Sequence, residues 1–316
     1  MNKKPSILVT GASGFLGRHI VPVLEKRYPQ TEVISLSSKD YDLTEQAQAR
    51  KMFEDYHPDR VVALAGYVGG IGANVAYPAD FFYRNLIIQT MTIHEAWKAG
   101  VEKLLTVMGG CSYPTTATSP INEEQMWDGL PAFESTPYSV AKKMAIIQSE
   151  AYRRQYGFNS IVLIPGNVYG EYDNYEEENS HVVPAMIRRL YEAKLNNLPE
   201  VVMWGSGKPT RDLVYANDVA ELFPYFLEEY DISDPINIST ACSTSIKELA
   251  EVTGELTGYP GKITWDASKP DGKILKIFDN SKMKELGLDC PTPLRDGLRR
   301  TIDWFEENYP KGAVRL

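Results

Sequence analysis

The sequence has little of what metal centres and covalent cross-links are made from: three cysteines (Cys111, Cys242 and Cys290) and four histidines in 316 residues. The cysteines are odd in number and lack CxxC spacing, which argues against a disulfide framework and against a zinc site, and makes a reducing cytoplasm the expected compartment. No stretch approaches the ~20 apolar residues of a membrane span. The apolar run that follows Met1, within NKKPSILVTG, is far shorter than the hydrophobic region of a signal peptide. Positive charge is also scarce: 33 Lys+Arg against 42 Asp+Glu leave a balance of −9. A broad basic footprint for nucleic acid or an anionic membrane is thereby disfavoured, and an anionic ligand must be met by a local basic pocket. Internal repeats, low-complexity segments and separable linkers are absent. What remains, with 43% apolar and 24% charged residues, is an ordinary soluble composition, long enough for one large unit and an annex.

Apolar runs and helical spacing alternate from the N-terminus. SILVT (6–10), EVISL (32–36), RVVALAG (60–66), KLLTVM (103–108) and SIVLI (160–164) read as buried strands. Between them lie amphipathic stretches, one starting at Thr44 as a candidate cap, one over 81–99 and one over 138–156. Strands alternating with helices predict α/β architecture, a Rossmann-type doubly wound parallel sheet. After about residue 170 the alternation fades. The expected division is 1–170 for a dinucleotide-binding domain and 171–316 for a smaller α/β lobe that binds substrate, with some exchange of chain between them. In that lobe helices are expected near 183–193, 219–229, 246–256 and 295–307, and strands near 201–204, 236–238 and 263–265.

GASGFLG places Gly11, Gly14 and Gly17 between a strand and a helix, with Ser13, Phe15 and Leu16 among them. Dinucleotide binding needs a turn free of Cβ, close approach of backbone to pyrophosphate, and helix amides facing the phosphates. At the end of the second strand, where a carboxylate would grip the ribose hydroxyls of NAD, stand Ser37, Ser38 and Lys39, which favours the 2′-phosphate of NADP. Asp42 is either an adenine contact or a turn residue preceding a helix. Tyr138 and Lys142, in YSVAK, share a helix face, so that the ammonium can lower the phenol pKa and hold a ribose while Tyr138 exchanges a proton with a carbonyl/alcohol pair. After a glycine turn and a fourth strand, this pattern resembles a short-chain dehydrogenase/reductase.

PADFFYRNL (78–86), CSYP (111–114), PYSVAKKMA (137–145), RRQYG (153–157), DNYEEENSHVVPA (173–185), WGSGKPTRD (204–212) and DASKPDG (266–272) together resemble the GDP-L-fucose synthase family, in the extended branch of that superfamily, over nearly the whole chain. The resemblance implies an NADPH-dependent enzyme that takes GDP-4-keto-6-deoxymannose, inverts C3 and C5, and reduces the 4-keto group. It implies that Cys111 and His181 are the acid/base pair, since a thiol and an imidazole can both be tuned to titrate near neutrality, and that Tyr138 and Lys142 serve the reduction. Pro165, Asn167, Val168 and His181 fall at the nicotinamide end, and the loop VGGIGAN (68–74) on the substrate side. Arg189, Trp204, Arg211 and Asp271 match positions that hold the nucleotide diphosphate and sugar, because arginine forks suit diphosphate oxygens and tryptophan offers a flat apolar wall. A homodimer through the helices near 81–99 and 138–156 is implied as well.

Two departures stand out. Gly109 occupies the place of the serine that orients the substrate carbonyl, leaving Ser112 as the nearby hydroxyl. Ala12 and Ser13 occupy the place of a basic residue facing the 2′-phosphate. The alternatives are therefore a 4-ketoreductase or epimerase for another deoxy or branched nucleotide sugar and, from a different class, a non-catalytic protein that senses NADP(H).

Overall fold

The computed structural model describes residues 4–177, 179–269 and 271–316, so one position each in the stretches 173–185 and 266–272 lies outside the described residues. Two compact units divide the chain. Met1–Thr116, Glu123–Pro165 and Val219–Ile236 form the first, and Ala117–Asn122, Gly166–Asp218 and Asn237–Leu316 the second.

In the first unit five parallel strands, β1 (Ser6–Thr10), β2 (Glu32–Leu36), β3 (Arg60–Ala63), β4 (Lys103–Val107) and β5 (Asn159–Pro165), lie in the order β5-β4-β3-β1-β2. Leu8 is in register with Ile34 on one side and Val61 on the other, and Val61 with Leu104. All five residues of β1 are buried. Burial on both faces explains why β1, β3 and β4 read as continuous apolar runs rather than as alternation. Helices α1 (Phe15–Arg27), α2 (Gln46–Tyr56), α3 (Ile71–Ala76), α4 (Pro78–Lys98) and α5 (Thr136–Tyr156) make the crossovers. Gln89 Nε2 and Gln148 Nε2 cross the α4/α5 contact to Ala141 O (3.3 Å) and Thr90 O (3.0 Å). Helix α4 starts earlier than expected because Pro78 pre-sets its first turn. Thr44 does not cap α2: its hydroxyl donates to Asp42 Oδ1 (2.7 Å), and the helix starts after Glu45. Strand order reverses between β1 and β3, and at such a switch point ligands bind beyond the carboxyl ends of the strands.

The second unit is built from short pieces. β6 (Asn167–Tyr169) pairs with β9 (Leu213–Tyr215), β7 (Glu200–Trp204) with β12 (Lys262–Asp266), and β8 (Thr210–Arg211) with β11 (Thr244–Ser245) and β13 (Leu275–Lys276). Helices α6 (Val182–Leu195), α8 (Ile246–Thr257), α9 (Ser281–Glu285) and α10 (Leu294–Asn308) belong to this unit, while α7 (Ala216–Glu228) and β10 (Ile236–Ile238) have residues assigned to each. Tyr169, Tyr175, Leu190, Leu249, Ile302 and Phe305 form the unit's core, and each such side chain contributes about 1.5–3 kcal/mol by leaving water. Ser245 Oγ caps α8 by accepting from Glu248 N (3.0 Å), and Gly258, in the left-handed region (φ 68°), ends it. Among the described residues no helix is long and apolar enough to cross a membrane, and no group of three or more His, Cys, Asp or Glu side chains is placed to hold a metal.

Candidate active site

After Thr10 the chain enters the glycine turn. Gly11 lies in the left-handed region (φ 68°), and a Cβ on it would come within 2.9 Å of Ala65 N, so only glycine lets the turn press against the exit of β3. Gly17 is tighter still, because a Cβ there would meet the carbonyl oxygens of Gly11 and Ala12 at 2.5 Å. Gly14 takes the N-cap position of α1, and no side chain caps that end. The first amides of the helix, on Phe15, Leu16 and Gly17, are thus presented as donors for an anion. This bare cradle fits a pyrophosphate. Ala12 N donates to Leu36 O (3.0 Å) and ties the turn to the end of β2, where Ser38 and Lys39 are exposed. Asp42 Oδ1 is engaged by Thr44 N (2.9 Å) and Thr44 Oγ1 (2.7 Å), which holds the turn before α2.

Beyond Val107 an extended continuation is replaced by one 3₁₀ turn, Gly110–Ser112, entered through Gly109 in extended conformation (φ −88°, ψ 147°). Ser112 N donates to Gly109 O (3.0 Å). The turn rotates Ser112 inward, where it is fully buried and its Oγ has no hydrogen-bond partner among the described residues. Ser112, expected among the substrate-binding residues, is fully buried here. Cys111 keeps its place: Ser139 on α5 donates to Cys111 O (3.3 Å), and a Cβ on Gly109 would stand 3.2 Å from Cys111 Sγ.

Tyr138 and Lys142 lie one turn apart on α5. The Phe81 ring meets Tyr138 edge-on (centroids 6.1 Å apart) and Tyr67 packs on Phe81 (4.7 Å). Lys142 is buried, with Nζ 3.9 Å from where a Cβ on Gly66 would be. Asn85 of α4 pins the loop after β3: Nδ2 donates to Tyr67 O (2.9 Å) and Phe81 O (2.8 Å), and Oδ1 accepts from Tyr67 N (3.0 Å). Burial lowers the Lys142 ammonium to about 8, partly opposed by the nearby Cys111. Burial, and then the charge of Cys111, pushes the Tyr138 phenol well above its ordinary value. The sequence suggests a phenol lowered by Lys142; desolvation outweighs that effect here and keeps Tyr138 a neutral donor.

In the second unit His181 is the N-cap residue of α6, with Nδ1 3.7 Å from Asp173 Oδ1. Asp173 is buried and its Oδ2 has no partner among the described residues. The His181 side chain is half exposed, and the Asp173 carboxylate raises its imidazole above the ordinary pKa. Asn167 grips Asp212 O through both N and Nδ2 (3.0 Å each), fixing the start of β6 and with it Val168; Pro165 ends β5 in the first unit. Arg211 Nη1 donates to Thr210 O (2.7 Å) and Lys273 O (2.8 Å). Arg189 is exposed on α6, and Trp204, 72% exposed at the end of β7, has the Lys269 ammonium 5.7 Å above its ring. Asp271 spends both oxygens on Ser206, at N (2.8 Å) and Oγ (2.6 Å), so it shapes the loop after Trp204. Sequence reasoning missed Asp173, Ser139 and Asn85. Asp173 carried a signal, as an acid in the same polar loop as His181; Ser139 and Asn85 look like ordinary helix residues until the fold brings them to their partners.

The pattern of the NAD dependent epimerase/dehydratase family matches residues 7–239. The GDP-L-fucose synthase 1 of Arabidopsis thaliana is 40% identical over 307 residues, covering 97% of this chain and 95% of that protein. A GDP-L-fucose synthetase from Naegleria fowleri bound to NADP superposes with a TM-score of 0.92 at 27% identity, covering 100% of this chain and 98% of that one. A GDP-6-OMe-4-keto-L-xylo-heptose reductase from C. jejuni superposes with a TM-score of 0.89 at 28% identity, covering 98% and 99%. Identity sustained from end to end, on a matching fold, makes this chain a member of the GDP-L-fucose synthase family of extended short-chain dehydrogenase/reductases.

Proposed function

We propose that this protein is an NADPH-dependent epimerase/reductase that converts GDP-4-keto-6-deoxymannose to GDP-L-fucose. The observation that carries the reading is Cys111, half-buried, within electrostatic reach of the half-buried Tyr138 and the buried Lys142. A plain ketoreductase needs only the tyrosine and lysine; a thiol there adds a group able to move a proton on carbon.

The C4 ketone acidifies the C3 and C5 hydrogens, and inversion needs removal from one face and return on the other. Cys111 is the base of that pair and His181, whose pKa Asp173 raises, is the acid. Charge that develops on the C4 oxygen in the enolate is met by the Tyr138 hydroxyl, whose pKa desolvation raises. NADPH, when bound, would supply the hydride for C4; Tyr138 is the group placed to give a proton to the C4 oxygen. Lys142 stands behind Tyr138 and holds ribose hydroxyls. The turn Gly11–Gly17 cradles the pyrophosphate, Ser38 and Lys39 meet the adenosine end, and Pro165, Asn167, Val168 and His181 the nicotinamide end. Arg189 and Arg211 hold the diphosphate of the substrate, Trp204 stacks on it, and Asp271 supports that loop through Ser206. The exposed Phe82, Tyr83, Ile147 and Tyr156 on α4 and α5 support a homodimer, and three free cysteines suit the cytoplasm.

A second reading is favoured by Gly109. No hydroxyl stands at that position, and its lack of a side chain together with the likeness to a heptose reductase suits a bulkier sugar. Gly109→Ser separates the two: the backbone there (φ −88°) accepts a side chain, and the Cys111 Sγ, 3.2 Å from the new Cβ, has to give by a few tenths of an ångström. The Ser variant raises turnover of GDP-4-keto-6-deoxymannose by supplying a carbonyl donor, or lowers turnover of a bulkier 4-keto sugar by crowding. NADPH oxidation monitored with each GDP-4-keto sugar, in wild type and Tyr138→Phe, tests the whole reading. Consumption that depends on Tyr138 supports it, and no consumption with any of them overturns it.

A further inference from the structure

The turn from β1 into α1 has no charge of its own, reading GASGFLG. A 2′-phosphate on the adenosine ribose nevertheless needs a cation there. Arg18 follows Gly17 directly and does not simply point away from α1: its Nε donates to Ser13 O (3.2 Å), so the guanidinium is folded back against the middle of the turn. Ala12 N, one residue earlier, donates to Leu36 O (3.0 Å), which joins the same turn to the end of β2. There Ser37 donates to Asp40 Oδ2 through both N and Oγ (2.8 Å each), and Lys39 N donates to Ser37 Oγ (3.3 Å). These bonds turn the Asp40 carboxylate onto its own loop and present Ser38 and Lys39, exposed like Ser13 and Arg18. Asp40 stays ionised, its pKa lowered first by the backbone amide of Ser37 and then by its hydroxyl. One lysine beside one carboxylate carries no net charge for a dianion, and a second cation is required.

We propose that Arg18 sets the preference of this chain for a 2′-phosphorylated dinucleotide, its guanidinium binding the 2′-phosphate together with Lys39 and Ser38. A guanidinium fork matches two phosphate oxygens at once, which a lysine does not. The inference rests on the NADPH reading above, and it concerns a residue that the sequence did not single out.

The test is calorimetric titration of 2′,5′-ADP and 5′-AMP, which differ only in the 2′-phosphate, with NADPH and NADH binding followed by fluorescence. Wild type binds 2′,5′-ADP and NADPH more tightly than 5′-AMP and NADH. Arg18→Ala weakens 2′,5′-ADP and NADPH by about tenfold or more while leaving 5′-AMP and NADH within about twofold, and Arg18→Lys recovers part of the loss. If Arg18→Ala keeps the wild-type discrimination, or weakens all four ligands alike, Arg18 does not read the phosphate. If wild type itself fails to discriminate, the NADPH reading falls first, and with it this inference.

Discussion

His181 and Asp173 show how one buried carboxylate defines a residue's task. With the imidazole raised by Asp173, the pair contributes stability that is fully present below the unfolded histidine value of 6.5 and is lost as pH rises through the higher folded value. Asp173→Asn should lower the His181 pKa in an NMR titration and should cost more stability at pH 6 than at pH 9. An unchanged imidazole titration contradicts the pairing. Lys142 has the opposite sign. Its folded value of about 8 lies below the ordinary 10.5, so the unfolded chain binds more protons between those values and stability rises with pH across that window. The penalty is complete below pH 8. Lys142→Met should therefore stabilise the protein at pH 7, by on the order of 3 kcal/mol at most, with the gain shrinking toward pH 10 and activity lost. A variant less stable at pH 7 in denaturant titrations contradicts this. Such a trade of stability for function is what a buried ammonium implies if it serves the proposed chemistry.

Helix α1 depends on Gly17. Gly17→Ala drives a Cβ to 2.5 Å from two carbonyl oxygens, which must open the turn and withdraw the cradle. Loss of NADPH binding together with a fall in thermal stability is expected, and unchanged binding in a titration overturns the fit of the cradle. The glycine turn was legible in the sequence because three glycines between a strand and a helix allow few other geometries. The strands were legible because burial on both faces writes continuous apolar runs, and YSVAK because a four-residue spacing is a helix face whatever surrounds it. The turn at Gly110–Ser112 was not. The end of β4 was legible to within one residue, but nothing local forms the turn after it, which Ser139, 28 residues away from Cys111, helps to hold. Asn85 is of the same kind, its three bonds reaching Tyr67 and Phe81, and so is Asp173, whose role appears only when burial leaves it facing His181. Thr44 misled because a threonine before a helix usually caps it, whereas Asp42 took its hydroxyl first.

For the whole molecule, the exposed aromatic and aliphatic side chains of α4 and α5 should be covered by a second copy. Light scattering at micromolar concentration should report a dimer, and Tyr83→Glu combined with Ile147→Glu should give a monomer; a monomeric wild type contradicts the proposal. The central claim is that a single protein carries out proton exchange on carbon and hydride transfer. Its most direct measurement is NMR of the product formed from GDP-4-keto-6-deoxymannose and NADPH in D2O. The account predicts GDP-L-fucose carrying deuterium at both C3 and C5, with the label lost and fucose absent in Cys111→Ala. A reduced sugar that carries no deuterium would contradict it.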